Sequence, residues 1–502
     1  MSQRDFDVAI LGAGFGGSLM AILLRRLGRS VLLLDRQRHP RFAIGESSTP
    51  AADFTLERIC DEFDLPRLRP LARYGSWKSE LPQIACGLKR GFSYFHHASG
   101  REFETDAGHS HELLVSASRN DAVSDTHWYR ADVDSYFCEE AAREGVVVEE
   151  GVETAVEPGG QSWRVRWSTA SGDRGGEAAA NFLIDASGAG GVLPRLLKIE
   201  DRSHELQTRS RSVFKHVLHL PRWSDELERL DISTKDHPYP CDDAALHHVF
   251  EGGWMWVLRF ENGITSVGIS LDPRRPANDA LTPDEEFQAL LVEHPSLERT
   301  FRPTRIPESF PSRSCIRTGR LQRLWGAAAG PSWCLLPNCA GFIDAFYSTG
   351  IAQTLCGLKR IAEAFRSWND GPRFDAALAG YSRAVADEIM LIDDLVSTSY
   401  ACMGRHPEWL HACSAVYFAA ATSFERRFHA EQRPPGFLLA DDPQFRATAT
   451  AACARIREGL AAGPAADVAV GMADVARTIA PWNVARLLDP ASRRMYHCTA
   501  AK

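Results

Sequence analysis

Short, uninterrupted apolar runs open the chain. Phe6 to Leu11 has the character of a buried parallel strand, and Ser30 to Leu34 repeats it, ending at Asp35. Between them, Ser18 to Leu27 carries apolar residues at helical spacing. Strand, tight turn, helix and strand together predict a βαβ unit. Further on, Ala131 to Glu144 reads as helix, Val146 to Val156 as strands, and Phe182 to Ala186 as another buried strand. From about residue 205 to 330 the pattern is sheet-rich. Its clearest piece is a hairpin, with Trp254 to Phe260 and Ile264 to Leu271 on either side of Glu261-Asn262-Gly263. Asn-Gly between apolar runs favours the tight turns whose twist suits paired strands. Thr282-Pro283 marks a helix start, with threonine as N-cap and proline at the first helical position. From Gly350 onward helical spacing dominates, in Tyr381 to Ser397 and Ala415 to Phe428, with Pro434-Pro435-Gly436 as a break.

This pattern predicts an α/β protein with a Rossmann-type βαβ dinucleotide-binding domain, discontinuous over 1–75, 130–205 and 325–370. A sheet-rich substrate domain is expected over 76–129 and 206–324, and a helical C-terminal region over 371–502. Composition narrows the partners. A formal net charge of −8 over 502 residues, with Lys and Arg scattered, argues against nucleic acid, which demands a basic footprint. The twelve cysteines show no CxxC pair, so they read as small buried hydrophobes in a reducing compartment. Cys334, Cys339 and Cys356 cluster in sequence without a metal-ligand spacing, and no metal is expected. The polar start and the absence of a long apolar run lead to the expectation of a cytoplasmic protein with no membrane partner.

The first chemical constellation is Gly12-Ala13-Gly14-Phe15-Gly16-Gly17, a G-x-G-x-x-G between strand and helix. Gly12 and Gly14 let the backbone turn tightly and approach a pyrophosphate, and Gly17 lets the helix pack close to the strand. The helix N-terminus offers N–H groups and a positive dipole end, and Asp35 can accept the ribose hydroxyls. FAD and NAD both satisfy this much.

Three further segments resemble two-domain flavoproteins of the aromatic-hydroxylase fold. Phe182-Leu183-Ile184-Asp185-Ala186-Ser187-Gly188 resembles their Asp-Ala-(Ser/Thr)-Gly segment. Asn338-Cys339-Ala340-Gly341-Phe342-Ile343-Asp344 resembles the segment that lies along the flavin, with Asn338 where the family has aspartate. Arg130, four residues before Asp134, matches their flavin-contacting arginine. The resemblance implies FAD.

Over roughly residues 5 to 430 the chain resembles the flavin-dependent halogenases. Gly45-Glu46-Ser47-Ser48-Thr49-Pro50 looks like their loop beside the flavin, and Gly87 to Phe95 like their lysine segment. Trp254-Met255-Trp256-Val257-Leu258 looks like their Trp-x-Trp-x-Ile-Pro signature, with Arg259 in place of proline. Phe346-Tyr347-Ser348-Thr349-Gly350 looks like their halide-binding turn.

The resemblance implies that FADH2 and O2 oxidise a bound chloride or bromide to hypohalous acid. Lys89 would steer the acid, and Trp254 and Trp256 would keep activated oxygen from the organic substrate. Thr349 and Gly350, at a helix start, would hold the halide on backbone N–H groups. Glu46, Ser47, Arg130, Asp185, Asn338, Gly341, Phe342 and Ile343 would contact the cofactor. Tryptophan-directed halogenases carry glutamate where this chain has Tyr347, so it looks closer to the phenol- and pyrrole-directed branch, with a free or carrier-bound aromatic substrate and a role in secondary-metabolite biosynthesis. A base for a phenol is not placed; His96, His97, His109 and His111 are candidates. Nothing resembles a second nucleotide site, so reduced flavin is expected from a separate flavin reductase. The alternative is an aromatic monooxygenase of the same fold, in which Lys89 is dispensable. A non-catalytic flavin binder has no reason to keep Lys89, the tryptophan pair and Ser348-Thr349-Gly350 together.

Overall fold

A computed structural model describes residues 4–160, 162–272, 280–404, 406–431, 435–463 and 467–499. Two eight-stranded sheets organise it. In the first, Arg4–Leu11 pairs in parallel with Val31–Asp35 on one side and Gly175–Asp185 on the other. Val147–Glu150 and Trp333–Leu335 extend it in parallel at the two flanks. Val8 to Ile10 and Val31 to Leu34 are buried throughout, which is why these strands are apolar without alternation. The intervening helix Phe15–Arg26 packs against Arg130–Arg143 and Thr349–Phe365.

The second sheet runs, in order, Ile316–Arg317, Arg211–Leu218, Ile264–Leu271, Gly253–Arg259, Ala245–Phe250, Gly91–His96, Glu112–Ser116 and Met495–Tyr496. Its centre is the hairpin read from Glu261-Asn262-Gly263, with Gly263 at φ +82°. The α/β expectation, with a βαβ unit, a second sheet and a helical C-terminal part, is borne out. The helical reading after Gly350 needs one correction. Met495–Tyr496 is a strand, laid parallel on Leu114 and Val115. A two-residue edge strand is too short for any periodicity to announce.

The C-terminal helices Gly371–Cys402 and Pro407–Ala430 close over the second sheet's aromatic face. Of the break expected at Pro434-Pro435-Gly436, Pro434 lies outside the described residues. Among the described residues no helix is long and apolar enough to cross a membrane. Eleven of the twelve cysteines are buried and Cys498 is exposed.

Candidate active site

A cavity of about 500 Å³ is lined by strands of the second sheet and by the turns that follow strands of the first. At one end lies the glycine turn. Gly12 adopts φ +109°, and a Cβ there would meet the Ala186 carbonyl oxygen at 2.5 Å; a Cβ on Gly17 would meet that of Gly12 at 1.9 Å. Neither position accepts alanine without breaking the strand–helix contact. Helix Phe15–Arg26 has no N-cap side chain of its own; its first N–H, Phe15 N, donates to Asp134 Oδ1 at 3.2 Å, and Gly16 and Gly17 follow it on the cavity wall. Charge converges on the same place. Arg130 forks onto Asp134 at 2.8 and 2.9 Å and donates to the carbonyls of Ile44 and Gly45. Arg41 bridges Asp35 at 3.1 Å and Asp134 at 3.4 Å. Two arginines beside a helix N-terminus suit a diphosphate. Asp35 also accepts from Ala13 N (2.8 Å), which pins the turn to the second strand.

The middle of the cavity is shaped by a small sheet. Cys86–Lys89 pairs antiparallel with Asp125–Trp128, and the Gly45–Pro50 loop lies alongside, with Trp128 N donating to Glu46 O and Ser48 N to Thr126 O. This puts Glu46 and Ser47 on the cavity wall. Glu46 Oε1 meets His216 Nε2 at 2.9 Å, whereas its Oε2 is buried without a hydrogen-bond partner. An orphaned carboxylate oxygen on a cavity wall calls for a donor from whatever fills the space. Lys89, 0% exposed, follows the loop on its inner side. Its ammonium donates to Ser48 O at 2.5 Å and sits 4.0 Å from the centre of the Phe92 ring.

Trp254 and Trp256 both line the cavity, 5.8 Å apart, because alternate residues of a strand share a face. Gly268 lies directly across from Trp256, and any Cβ there would come within 2.2 Å of the indole. Trp254 Nε1 donates to Tyr400 OH (3.1 Å). That hydroxyl lies 2.9 Å from Ser270 Oγ and 3.0 Å from Asp344 Oδ2, which Ser210 also reaches at 2.7 Å. Burial raises the Asp344 carboxyl above the ordinary range, and these donors oppose the shift. Asp344 Oδ1 accepts from Phe346 N, fixing the start of the Phe346–Gly350 turn.

In that turn Ser348 takes the left-handed region (φ 52°) and its hydroxyl goes to Ser47 (3.1 Å), not to the helix that begins at Thr349. The first N–H groups of Thr349–Phe365 are therefore uncapped, and Gly350 borders open space. Tyr347 turns away from the cavity and stacks on Tyr417 at 4.1 Å.

Of the residues singled out in the sequence, Gly14, Gly17, Glu46, Ser47, Arg130, Trp254, Trp256, Asn338, Phe342 and Gly350 line the cavity. Gly341, Ile343 and Thr349 lie next to lining residues in the chain, Asp35 is hydrogen-bonded to the lining Arg41, and Gly12 packs against the lining Ala186. Asp185 departs from its expected cofactor contact. It is fully buried and its oxygens are spent on Ser187 N, Ser187 Oγ and Leu193 N, so it shapes the Ala186–Ala189 turn that does line the cavity. Lys89 is likewise not on the cavity wall. The four histidines considered as bases are elsewhere. His96 is buried and pushed down to about 3 by desolvation, His97 bonds His248 at 3.0 Å, and His109 bonds Glu112 at 2.5 Å, which reaches His237 at 3.2 Å. His111 is half-buried, outside the cavity wall. Sequence reasoning missed Arg41, His247 and Arg323, all on the wall. No motif carries them. His247 alone had a signal, its place on the strand paired to Trp256.

The comparisons with known proteins agree with this geometry. Residues 7–317 match the family model described as FAD dependent oxidoreductase. The chain is 30% identical over 81% of its length to the tetracycline 7-halogenase of Kitasatospora aureofaciens, covering 72% of that protein. It is 28% identical over 88% of its length to monodechloroaminopyrrolnitrin halogenase PrnC of Pseudomonas fluorescens, covering 79% of it. Among solved structures, the halogenase PltM in complex with phloroglucinol and FAD superposes with a TM-score of 0.84 at 25% identity, over 99% of both chains. The glycine cradle, the paired arginines and the orphaned Glu46 oxygen fit the same cofactor. The chain belongs to the FAD-dependent oxidoreductases and, within them, to the flavin-dependent halogenases.

Proposed function

We propose that this halogenase delivers hypohalous acid through Lys89 to an electron-rich ring, a phenol or a pyrrole. FAD, bound and reduced, supplies together with O2 the oxidising power that converts halide to hypohalous acid. The chain's own residues do the rest. The Gly12–Gly17 turn, Arg41 and Arg130 hold the diphosphate, Asp35 the ribose, and Glu46, Ser47, Asn338 and Phe342 the remainder of the cofactor. The free N–H groups at Thr349 and Gly350 hold a halide without a countercharge that would compete for the oxidant. Trp254 and Trp256 wall off the ring. This assigns the first sheet to the cofactor and the second, with the C-terminal helices, to the substrate.

The observation that carries this reading is the burial of Lys89. A fully buried ammonium is costly unless it is hydrogen-bonded and paired, and Lys89 is held by Ser48 O and the Phe92 face between the Gly45–Pro50 loop and an aromatic wall. Beyond it lies a second, small cavity of about 20 Å³, walled by Thr49, Pro50, Phe92, Tyr417, Phe418, Thr422 and Glu425. It is aromatic with one buried carboxylate, the lining a phenol or pyrrole N–H would match once its walls part. The phloroglucinol held by PltM and the pyrrole carrier-protein substrate named for a chlorinase 25% identical to this chain are of the two ring classes proposed. Reduced cofactor comes from a separate flavin reductase in this proposal.

The test supplies reductase, NADH, FAD, bromide or chloride, and a panel of phenols and pyrroles. Halogen-for-hydrogen mass shifts are expected with the native protein and absent with Lys89→Met, while FAD binding persists. Products heavier by one oxygen, or halogenation unaltered in Lys89→Met, would refute the proposal. Glu425→Gln is expected to slow ring halogenation by about 100-fold, the usual scale of a lost acid–base partner.

A further inference from the structure

The lysine proposed to aim the halogen does not line the cavity in which the halogen is made. The residue that spans the gap is His247. It lies on the cavity wall with Trp254, Ser348 and Gly350, and is 2% exposed. Its ring stacks on Tyr94 (4.5 Å, 20°) and lies parallel to Phe92 at 6.0 Å, the same Phe92 whose face carries the Lys89 ammonium. Phe346, at the head of the halide turn, meets it edge-on at 5.6 Å, and Trp254 lies 5.1 Å away. Backbone groups of Ser93, Ala245 and Phe346 surround the imidazole, yet its Nδ1 is buried without a hydrogen-bond partner. With Nδ1 sealed from the cavity, the imidazole meets the cavity at its Nε2 side.

We propose that His247 is a catalytic residue that carries the halogen from hypohalous acid to Lys89, resting on the reading of Lys89 given above. The chemistry requires a neutral imidazole. Burial, reinforced by the Lys89 charge, pushes His247 down to about 3, so it keeps its lone pair throughout the range in which the protein works. Its Nε2 attacks the halogen of hypohalous acid: an N–X bond forms and the O–X bond breaks. The departing hydroxide takes a proton from the Lys89 ammonium and leaves as water, which makes Lys89 a free amine. That amine then attacks the halogen on the imidazolium. Its N–X bond forms as the imidazole's breaks, and His247 returns neutral. The ring carbon finally takes the halogen from Lys89, and the ring proton restores the ammonium. Halide oxidation supplies the only oxidant, and one water leaves per halogen transferred.

The arrangement also explains why the free acid need not wander. Tyr94, Phe346 and Trp254 close around the imidazole, so the first nucleophile met beyond the halide turn is a nitrogen that passes its halogen inward.

The experiment compares the native protein with His247→Phe, which keeps the stacked ring, His247→Gln, which keeps hydrogen bonding without a comparable nucleophile, and Lys89→Met. Two quantities are read: ring halogenation relative to hypohalous acid caught by an added trap, and halogen on Lys89, by peptide mass spectrometry, after flavin-free protein receives one equivalent of hypochlorous acid. FAD affinity and melting temperature serve as folding controls. In His247→Phe and His247→Gln the ratio is expected to fall about 100-fold, the scale of lost positioning, with Lys89 left largely unhalogenated. Native ratios and native Lys89 labelling in His247→Phe would overturn the proposal. Recovery in His247→Gln would overturn halogen transfer in favour of a hydrogen-bonding site. Normal halogenation in Lys89→Met would instead refute the parent reading and this inference with it.

Discussion

Acid should unfold this protein well above the carboxylate range, and buried histidines set the threshold. His96, His127, His247, His248 and His411 are each held near 3 instead of 6.5, burial being the largest cause in every case. The folded values lie below the unfolded ones. Above pH 6.5 both states are neutral and the histidines cost nothing. As pH falls through 6.5 the unfolded chain gains a proton at each site that the folded chain refuses, so stability is lost progressively down to the folded values. Each histidine contributes about 1.4 kcal/mol per pH unit, or roughly 2 kcal/mol by pH 5. Five of them remove about 10 kcal/mol, against a total stability of about 5–15 kcal/mol. Asp132, Asp344 and Asp394 are raised by burial and act in the opposite sense, but only as pH falls through their own raised values. The histidines outnumber them.

The loss is concentrated at the chemistry. His96 and His247 to His248 sit on adjacent strands of the second sheet, and His127 is on the small sheet with Lys89. Melting curves followed by near-ultraviolet circular dichroism should be flat from about pH 7.5 to 6.5, fall steeply below, and lose the cooperative transition near pH 5. His411→Gln, which removes one titrating ring and keeps an amide in reach of Tyr496 OH, should reduce the slope by about 1.4 kcal/mol per pH unit. A melting temperature that stays level down to pH 5 would refute the reasoning.

Two other perturbations test the walls of the site. Gly268→Ala places a methyl 2.2 Å from Trp256 and 2.5 Å from Phe214, and the displaced indole should cost about 1–3 kcal/mol in thermal or denaturant unfolding and weaken FAD binding. Tyr400→Phe strips Trp254 Nε1 of its acceptor and Asp344 of a donor, each buried, at about 1–3 kcal/mol. It should also raise the share of reducing equivalents lost as hydrogen peroxide, measured with peroxidase; an unchanged share would show that Trp254 is held without Tyr400.

The sequence carries the residues whose reason is local. Gly12 and Gly17 are legible because a turn and a helix contact within a few residues demand them, and Trp254 with Trp256 because alternation on one strand puts both on one face. Asp185 was misjudged because the sequence does not show which of a turn's N–H groups a carboxylate will satisfy. Where contacts join segments far apart in the chain, no spacing records them. Lys89 meets Ser48, a loop 41 residues away, and Tyr400 meets Trp254 across 146. His247 looks, in sequence, like half of a His-His pair on a strand, and only the register with Trp256 and the stack on Tyr94 separate it from His248, which faces the other way into Trp223 at 4.6 Å.

That division has a consequence for how the enzyme keeps to halogenation. Trp254 is fixed through its indole N–H by Tyr400, on helix Gly371–Cys402, and the Phe346–Gly350 turn is fixed by Tyr417, on helix Pro407–Ala430, whose hydroxyl donates to Tyr347 O at 2.9 Å. The same second helix carries Phe418, Thr422 and Glu425 to the small cavity beyond Lys89. The proposed substrate pocket, halide turn and tryptophan wall are thus tied to one helical layer that the nucleotide-binding pattern does not encode. A substrate that parts the small cavity must push on the layer that holds Trp254 and Tyr347. Under the proposed roles, ring binding and the exclusion of direct oxygen transfer are mechanically coupled, so variants that loosen Tyr400 should lose halogen yield most with the bulkiest rings, and an equal loss for small and bulky rings would break that link.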